Sequence, residues 1–394
     1  MFYLAQGIIH NLGHPVTPAF VRSQSIPDYM FGVFFAAMSF GMVIGSPIWG
    51  VLADRGKKKV YILVGLTLYS IGQWGFGYSF HPGWMIVFRF ISGLGVSSSI
   101  TLFTTEVIQQ SDPTNRAKHL AYLGATVTLG ASIGYWLGGF LGTNAWMISW
   151  LGTNQLERIF LIQGISNTLY VGWIVWNFKE QSQAAITTKQ RYFPSFKSLF
   201  HVDWSLFFFF LALVSMTIGS INLSKYIDVY FDELGYTPQD LGTFVMVTGI
   251  VSLLASLFLV KWVSSWKKQM TFLSFIHVSS AVIVFIVFRS SSFLLTIYTI
   301  YMLYMVLRTL HQPLEQNYIA ANVRPHQYGL AMGLRQSFVS IGMVVGPLIG
   351  GFLYERNPLF LFDSSAYVFL IGVLFLGLSY VSKKRRSERP NDTR

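Results

Sequence analysis

Long apolar runs alternate with short polar connections along the whole 394-residue chain. The runs are about 20 residues each, enough for an α-helix to cross a hydrocarbon core of roughly 30 Å. Their spacing predicts twelve helical spans, near 2–21, 29–52, 59–80, 84–108, 119–142, 157–178, 204–230, 239–261, 269–289, 292–316, 327–354 and 359–381. The longest connection, 179–203, is polar and contains Pro194, and it divides the spans six and six. The expected fold is an all-α polytopic membrane protein with twelve transmembrane helices. They form two pseudo-symmetric six-helix halves, 1–178 and 204–381, followed by a basic tail at 382–394.

Composition agrees with this reading. Charged residues make up only 11% of the chain and hydrophobic ones 53%, whereas a soluble domain carries about 25% charged residues. The absence of cysteine excludes disulfides and thiol chemistry. A net charge of +12 could suggest nucleic acid, so the positions of the basic residues decide. With the N-terminus placed inside, 20 of the 28 Lys and Arg fall in cytoplasmic segments, 5 at the outer edges and 3 inside spans. That asymmetry follows the positive-inside rule and places both termini in the cytoplasm. The basic surplus is therefore topological. Met1 has no basic region ahead of the first apolar run, so no cleaved signal peptide is expected.

The chain also repeats itself. "GASIGYWLGGFL" in the fifth span and "GMVVGPLIGGFL" in the eleventh align Gly130, Gly134, Gly138 and Gly139 with Gly342, Gly346, Gly350 and Gly351, an offset of 212 residues. Two halves related by such a repeat, with a substrate site near the midplane, are the plan of many secondary transporters.

Between the second and third spans lies "GVLADRGKKK". It resembles the signature loop of the major facilitator superfamily, G-x-x-x-D-R-x-G-R-[KR], through Gly50, Asp54 and Arg55, with Lys58 and Lys59 in the two basic positions. A plain positive-inside cluster accounts for the lysines but not for Asp54. Lys57 stands at the family's second glycine, so the tight turn is expected at Gly56. Gly50 is expected where the second helix approaches a neighbour closely. The resemblance implies a cytoplasmic latch between this loop and the start of the eleventh helix. Glu106 would be its acidic partner at the end of the fourth span, and Arg335 its basic partner across the halves.

Two further motifs extend the resemblance. "VFRFISGLGVSSS" is similar to the family pattern R-x-x-q-G-x-G, with Arg89, Gly93 and Gly95 matching. An arginine inside a span costs ~2.5 kcal/mol or more at the helix centre, so Arg89 faces a cavity or partner, or else snorkels to the outer headgroups. In proton-coupled family members this arginine is linked to proton transfer, which the resemblance implies for Arg89. The glycine motif G-x8-G-x3-G-P-x2-G-G, carried by the family's drug antiporters in the fifth span, is complete here in the eleventh, with Pro347. The fifth span has Ala121 and Tyr135 at the first glycine and the proline. Close helix packing is a sufficient physical reason for such glycines.

Ionisable residues within spans are the remaining candidates. In "MVLRTLHQPLEQNYIA" Arg308, His311 and Glu315 share one helical face. A histidine beside a carboxylate can change charge near neutral pH, although Glu315 could instead repeat the edge role of Glu106. The first span offers His10, Asn11 and His14 but no acid. His10 is either a proton acceptor or a histidine satisfied by a neighbouring helix. Asn222, Lys225 and Asp228 lie toward the outer mouth of the seventh span, where Lys225 and Asp228 could form a local ion pair.

The chain holds no nucleotide-binding loop and no soluble domain large enough for one, so transport would run on a gradient or downhill. The expected function is a secondary transporter in the cell membrane, not an enzyme. It resembles the twelve-span drug:proton antiporters, with amphiphilic or drug-like substrates. A metabolite or lipid transporter of the same fold and a non-transporting membrane sensor are the alternatives. Expected partners are a small molecule, protons and the lipid bilayer, with no nucleic acid, no metal and no cofactor; a monomer is expected.

Overall fold

The computed structural model describes residues 1–53, 57–111, 116–152, 155–178, 203–264, 266, 268–323 and 328–387, and the regular structure among them is helical throughout. Asp54, Arg55, the linker up to residue 202 and the tail from 388 lie outside the described residues.

Proline and glycine set many of the breaks. The first predicted span is not one helix but two, α1 (Phe2–Asn11) and α2 (Thr17–Ser23). Gly13 and Pro15 interrupt it, because proline removes a helical donor and clashes with the preceding turn, while Pro18 is tolerated in the first turn of α2. Four longer helices follow: α3 (Tyr29–Ala53), α4 (Lys58–Tyr78), α5 (Pro82–Gln110) and α6 (Arg116–Thr143). A short α7 (Ala145–Leu151) starts where Asn144 Oδ1 accepts from the Trp146 N–H, and α8 (Gln155–Asn177) closes the first set.

Beyond the linker come α9 (Trp204–Glu233) and α10 (Pro238–Phe258). "ELGYTPQD" both ends and starts a helix. Gly235 takes the left-handed conformation (φ 79), and Thr237 and Asp240 exchange hydrogen bonds as a capping box. Then come α11 (Val260–Ser264), α12 (Gln269–Arg289), α13 (Phe293–Tyr298), α14 (Ile300–Asn322), α15 (Tyr328–Arg356) and α16 (Pro358–Ser387). The tenth predicted span is thus also broken, at Thr299.

Every predicted span coincides with a helix or helix pair. Among the described residues, nine segments are long and apolar enough to cross a membrane. The other three predicted spans are the broken first one, α4 and α6. In α4 and α6, glycine, tyrosine and tryptophan replace aliphatic residues and dilute the hydropathy.

The described helices form two compact units. One comprises Met1–Tyr192 with Ile227–Leu253; the other comprises Phe193–Tyr226 with Leu254–Arg394. In the first, α3 packs on α5, α4 on α5 and α8, and α1 on α6. Its core has two clusters, one around Phe20, Phe34, Phe76 and Phe160 and another around Ile62, Leu66, Leu102 and Phe103. In the second unit α12 packs on α14 and α16, and Phe288 stacks on Phe362 at 3.6 Å.

Candidate functional site

The repeated glycines make the same seam twice, once in each unit. A Cβ placed on Gly130 would come within 3.0 Å of Gly7 Cα in α1, and one on Gly134 within 3.0 Å of Asn11 Cβ. Gly138 likewise abuts Leu12 and Pro15, and the Asn11 amide turns back to the Gly7 carbonyl at 2.7 Å. In the second unit, a Cβ on Gly342 would meet Thr217 Cβ at 2.8 Å, and one on Gly350 would meet Asn222 Oδ1 at 2.7 Å, both in α9. Gly346 packs on Ile218, and the Tyr226 hydroxyl donates to the Pro347 carbonyl at 2.8 Å. Gly351 follows in the same helix and is buried. Small residues let helix backbones touch, which is the packing reason given for the motif. Gly139 is different: it faces the start of α10, where a Cβ would meet Gln239 Cα at 2.9 Å.

Gly50 departs from expectation. A Cβ there would meet nothing within 4 Å among the described residues. The close approach of α3 to α5 falls five and nine residues earlier, at Gly45 and Gly41, which abut Phe90, Leu94 and Ser97. The turn expected at Gly56 lies outside the described residues, and the next residue is described. Lys57 itself is left-handed (φ 64, ψ 34), at the family's glycine position.

Of the expected latch residues, Lys58, Glu106 and Arg335 have described partners. Lys58 Nζ donates to Glu106 Oε2 at 2.7 Å, and both side chains are buried. Gln110 Nε2 donates to the other Glu106 oxygen at 2.5 Å. Arg335 pairs with Glu315, Nε to Oε1 at 2.9 Å, with Nη2 on the same oxygen. The described partner of Arg335 therefore lies on α14 of its own unit. Asp54 and Arg55 lie outside the described residues.

Arg89 does not snorkel. It is buried in the first unit, its guanidinium carbon 3.6 Å from the centre of the Phe76 ring and 5.9 Å from that of Phe160. Aromatic faces attract a cation with ~2 kcal/mol or more when water is excluded. His10 is likewise a satisfied core residue, stacked on Tyr69 with centroids 4.0 Å apart. The Asn167 amide donates to the Leu66 carbonyl at 2.7 Å and to Ser70 Oγ at 2.9 Å, so its oxygen faces His10 Nε2 at 2.9 Å. Nε2 must then carry the proton. Gln163 ties the same turn down by donating to the His10 carbonyl at 2.8 Å.

The second unit holds a buried line of ionisable groups. His277 of α12 sits with Nδ1 3.1 Å from the Phe369 carbonyl and Nε2 3.3 Å from His311 Nε2. His311 Nδ1 lies 3.6 Å from Glu315 Oε2, and Glu315 binds Arg335. A carbonyl only accepts, so His277 Nδ1 carries a proton, and in the neutral ring its Nε2 is an acceptor. His311 must then donate through Nε2, which turns a bare Nδ1 toward the Glu315 carboxylate. Two acceptors face each other across that gap, and a single proton would bridge them. Sequence reasoning found His311, Glu315 and Arg335 but missed His277. Its signal was available: one histidine in the otherwise apolar span "FLSFIHVSSAVIVFIVF".

Sequence reasoning named Asp228 but missed the ion pairs of Arg22 and the tie from Tyr135 in the same unit. Arg22 binds Asp28 at 3.0 Å, Asp232 at 2.9 Å and Glu233 at 3.7 Å. Asp228, buried in α9, accepts from the Tyr135 hydroxyl at 3.1 Å, and Tyr135 stacks on His14 with centroids 5.4 Å apart. Among the described residues no group of three or more metal-ligating side chains comes together.

Long apolar helices carrying buried ion pairs and histidines define a multi-pass membrane protein. The chain belongs to the Major Facilitator Superfamily, whose model matches residues 2–310 and 233–394, and it is a transporter by that membership. It is similar to "Multidrug resistance protein 2" of Bacillus subtilis (strain 168), 22% identical over 379 residues, covering 95% of this chain and 91% of that one. It is also similar to "Quinolone resistance protein NorA" of Staphylococcus aureus (strain MSSA476), 23% identical over 348 residues, covering 86% and 85% of the two chains. A bacterial homolog of the human lysosomal transporter Spinster, solved in an inward-facing and occupied conformation, has the same fold. The TM-score is 0.75 at 13% identity, over 97% of this chain and 95% of that one.

Proposed function

We propose that the protein is a proton-coupled efflux antiporter for amphiphilic, drug-like compounds. It would work by alternating access in the cell membrane, with twelve spans in two six-helix halves and both termini cytoplasmic. The observation that carries the reading is the line His277–His311–Glu315–Arg335. A buried histidine aimed at a carboxylate supplies one place for one proton, and the bound arginine balances the carboxylate when that proton leaves. The names of the two relatives favour drug efflux over other cargo.

The cytoplasmic latch remains part of this proposal, with Asp54 and Arg55 acting beside the Lys58–Glu106 pair. Purified protein in proteoliposomes with an imposed pH gradient tests the whole reading. Fluorescent amphiphiles should move against the proton flow, and His311→Ala should abolish gradient-driven movement while substrate binding persists. Equal rates for His311→Ala and the parent protein under the gradient would remove this coupling site.

A further inference from the structure

The three arginines within the spans have different surroundings. Arg335 is ion-paired and Arg89 lies against aromatic rings. Arg308 of α14 is half-buried and makes no hydrogen bond, ion pair or ring contact with any described residue. It stands 15 residues from Phe293 and 14 from Asn322, the ends of its 30-residue span. At 1.5 Å per residue that is about 21 Å of helix toward Asn322, and about 12 Å to the break at Thr299 beyond which α13 continues the span, so Arg308 lies near the middle of the span. Both headgroup layers, each about 15 Å from the centre, lie beyond its reach. Facing lipid there would cost ~2.5–3.5 kcal/mol on insertion scales. A water-filled cavity on its exposed side would remove that cost.

Its neighbours have no partners beyond each other. Tyr304, one turn away on the same face, is fully buried, yet apart from Ser220 its hydroxyl has no hydrogen-bond partner. Ser220 of α9 is the hydroxyl beside it, and the buried Ser220 Oγ likewise meets no acceptor or donor outside this pair. Leaving a buried hydroxyl unpaired costs about 1–3 kcal/mol, so two with only each other mark a place where something else supplies an acceptor. The helix is opened nearby: Pro313 has no N–H for the Thr309 carbonyl, next in sequence to Arg308.

A guanidinium only donates, in a planar fork that matches a carboxylate, and the two hydroxyls can add donors to the same oxygens. We infer that Arg308, Tyr304 and Ser220 form the carboxylate-binding end of the substrate cavity, so that the transported compounds include amphiphiles bearing a carboxylate. This rests on the transport reading above.

The test compares a fluorescent aromatic carboxylic acid with its methyl ester and with a lipophilic dye cation, in proteoliposomes under a pH gradient. The parent protein should move the acid, and Arg308→Gln should raise the KM for acid relative to ester by tenfold or more. Arg308→Lys keeps the charge but not the fork, and Tyr304→Phe removes one donor; each should raise that ratio less. Parent protein that moves the cation or the ester but not the acid overturns the inference and leaves the transport reading standing. An unchanged acid-to-ester ratio in Arg308→Gln also overturns it, as does an equal loss of all three probes. If the glutamine variant does not fold, an unchanged ratio in the lysine variant is decisive against it. Parent protein that moves no probe removes the transport reading, and the inference falls with it.

Discussion

The Tyr135 hydroxyl donates to Asp228 Oδ2 at 3.1 Å, so a side chain of the glycine-rich helix α6 holds a buried carboxylate of α9. In the complete form of the motif, proline occupies that position and bends the helix. Here the bend is exchanged for a polar tie. Tyr135→Phe should keep the ring stacked on His14 and lose only the hydrogen bond, costing about 1–3 kcal/mol. Thermal unfolding in detergent measures this. In a double-mutant cycle with Asp228→Asn the two losses should not add. Additive losses would mean that the bond contributes nothing.

Lys57 offers a test of backbone strain. A left-handed conformation costs a residue with a Cβ roughly 1–2 kcal/mol, and Lys57 has φ 64. Lys57→Gly should stabilise the protein by up to about 1 kcal/mol, after the greater freedom of unfolded glycine is deducted. Lys57→Ala removes the same charge but keeps the Cβ, and should not stabilise. Equal melting temperatures for the two variants would place the effect in the charge rather than the backbone.

The Lys58–Glu106 pair should behave as a buried ion pair. Glu106→Gln takes the Glu106 charge away from a buried ammonium, a loss of about 3–5 kcal/mol, whereas Lys58→Met with Glu106→Leu should cost clearly less. Urea unfolding of the single and double variants separates these outcomes. A double variant as unstable as the single would show that Gln110, which also binds Glu106, needs the carboxylate.

The helices were legible in the sequence because a membrane demands a continuous apolar run for each one, and that run is written in the composition. The breaks at Leu12–Val16 and Thr299 were not read, although Gly13 and Pro15 announced the first. The glycine seams were legible because a repeated spacing marks a repeated contact. Partners were far less legible. Arg335 was assigned by resemblance to a partner across the halves, and its described partner Glu315 was visible only as a neighbour of His311 in the tenth span. His10 carries the same side chain as His311, yet Asn167 and Tyr69 close around one while His277 and Glu315 meet the other. Sequence shows which groups are ionisable; packing alone decides which of them have a proton acceptor opposite.

The histidine pair gives the most direct test of coupling. The Phe369 carbonyl fixes the proton of His277 on Nδ1, which requires the proton of neutral His311 on Nε2 and leaves its Nδ1 bare toward Glu315. Nitrogen-15 spectra of histidine-labelled protein at alkaline pH should show these two tautomers, assigned through His277→Phe and His311→Ala. His277→Phe removes the acceptor that holds the His311 proton on Nε2. The His311 ring can then place its proton on Nδ1, where it would bind the Glu315 carboxylate directly and fill the site without any proton from solution. Gradient-driven transport should therefore fall in His277→Phe while substrate-driven exchange at equal pH continues. In the parent protein, a His311 found as the Nδ1–H tautomer would place that proton between the ring and Glu315 from the outset. His277 would then have no part in setting the proton site.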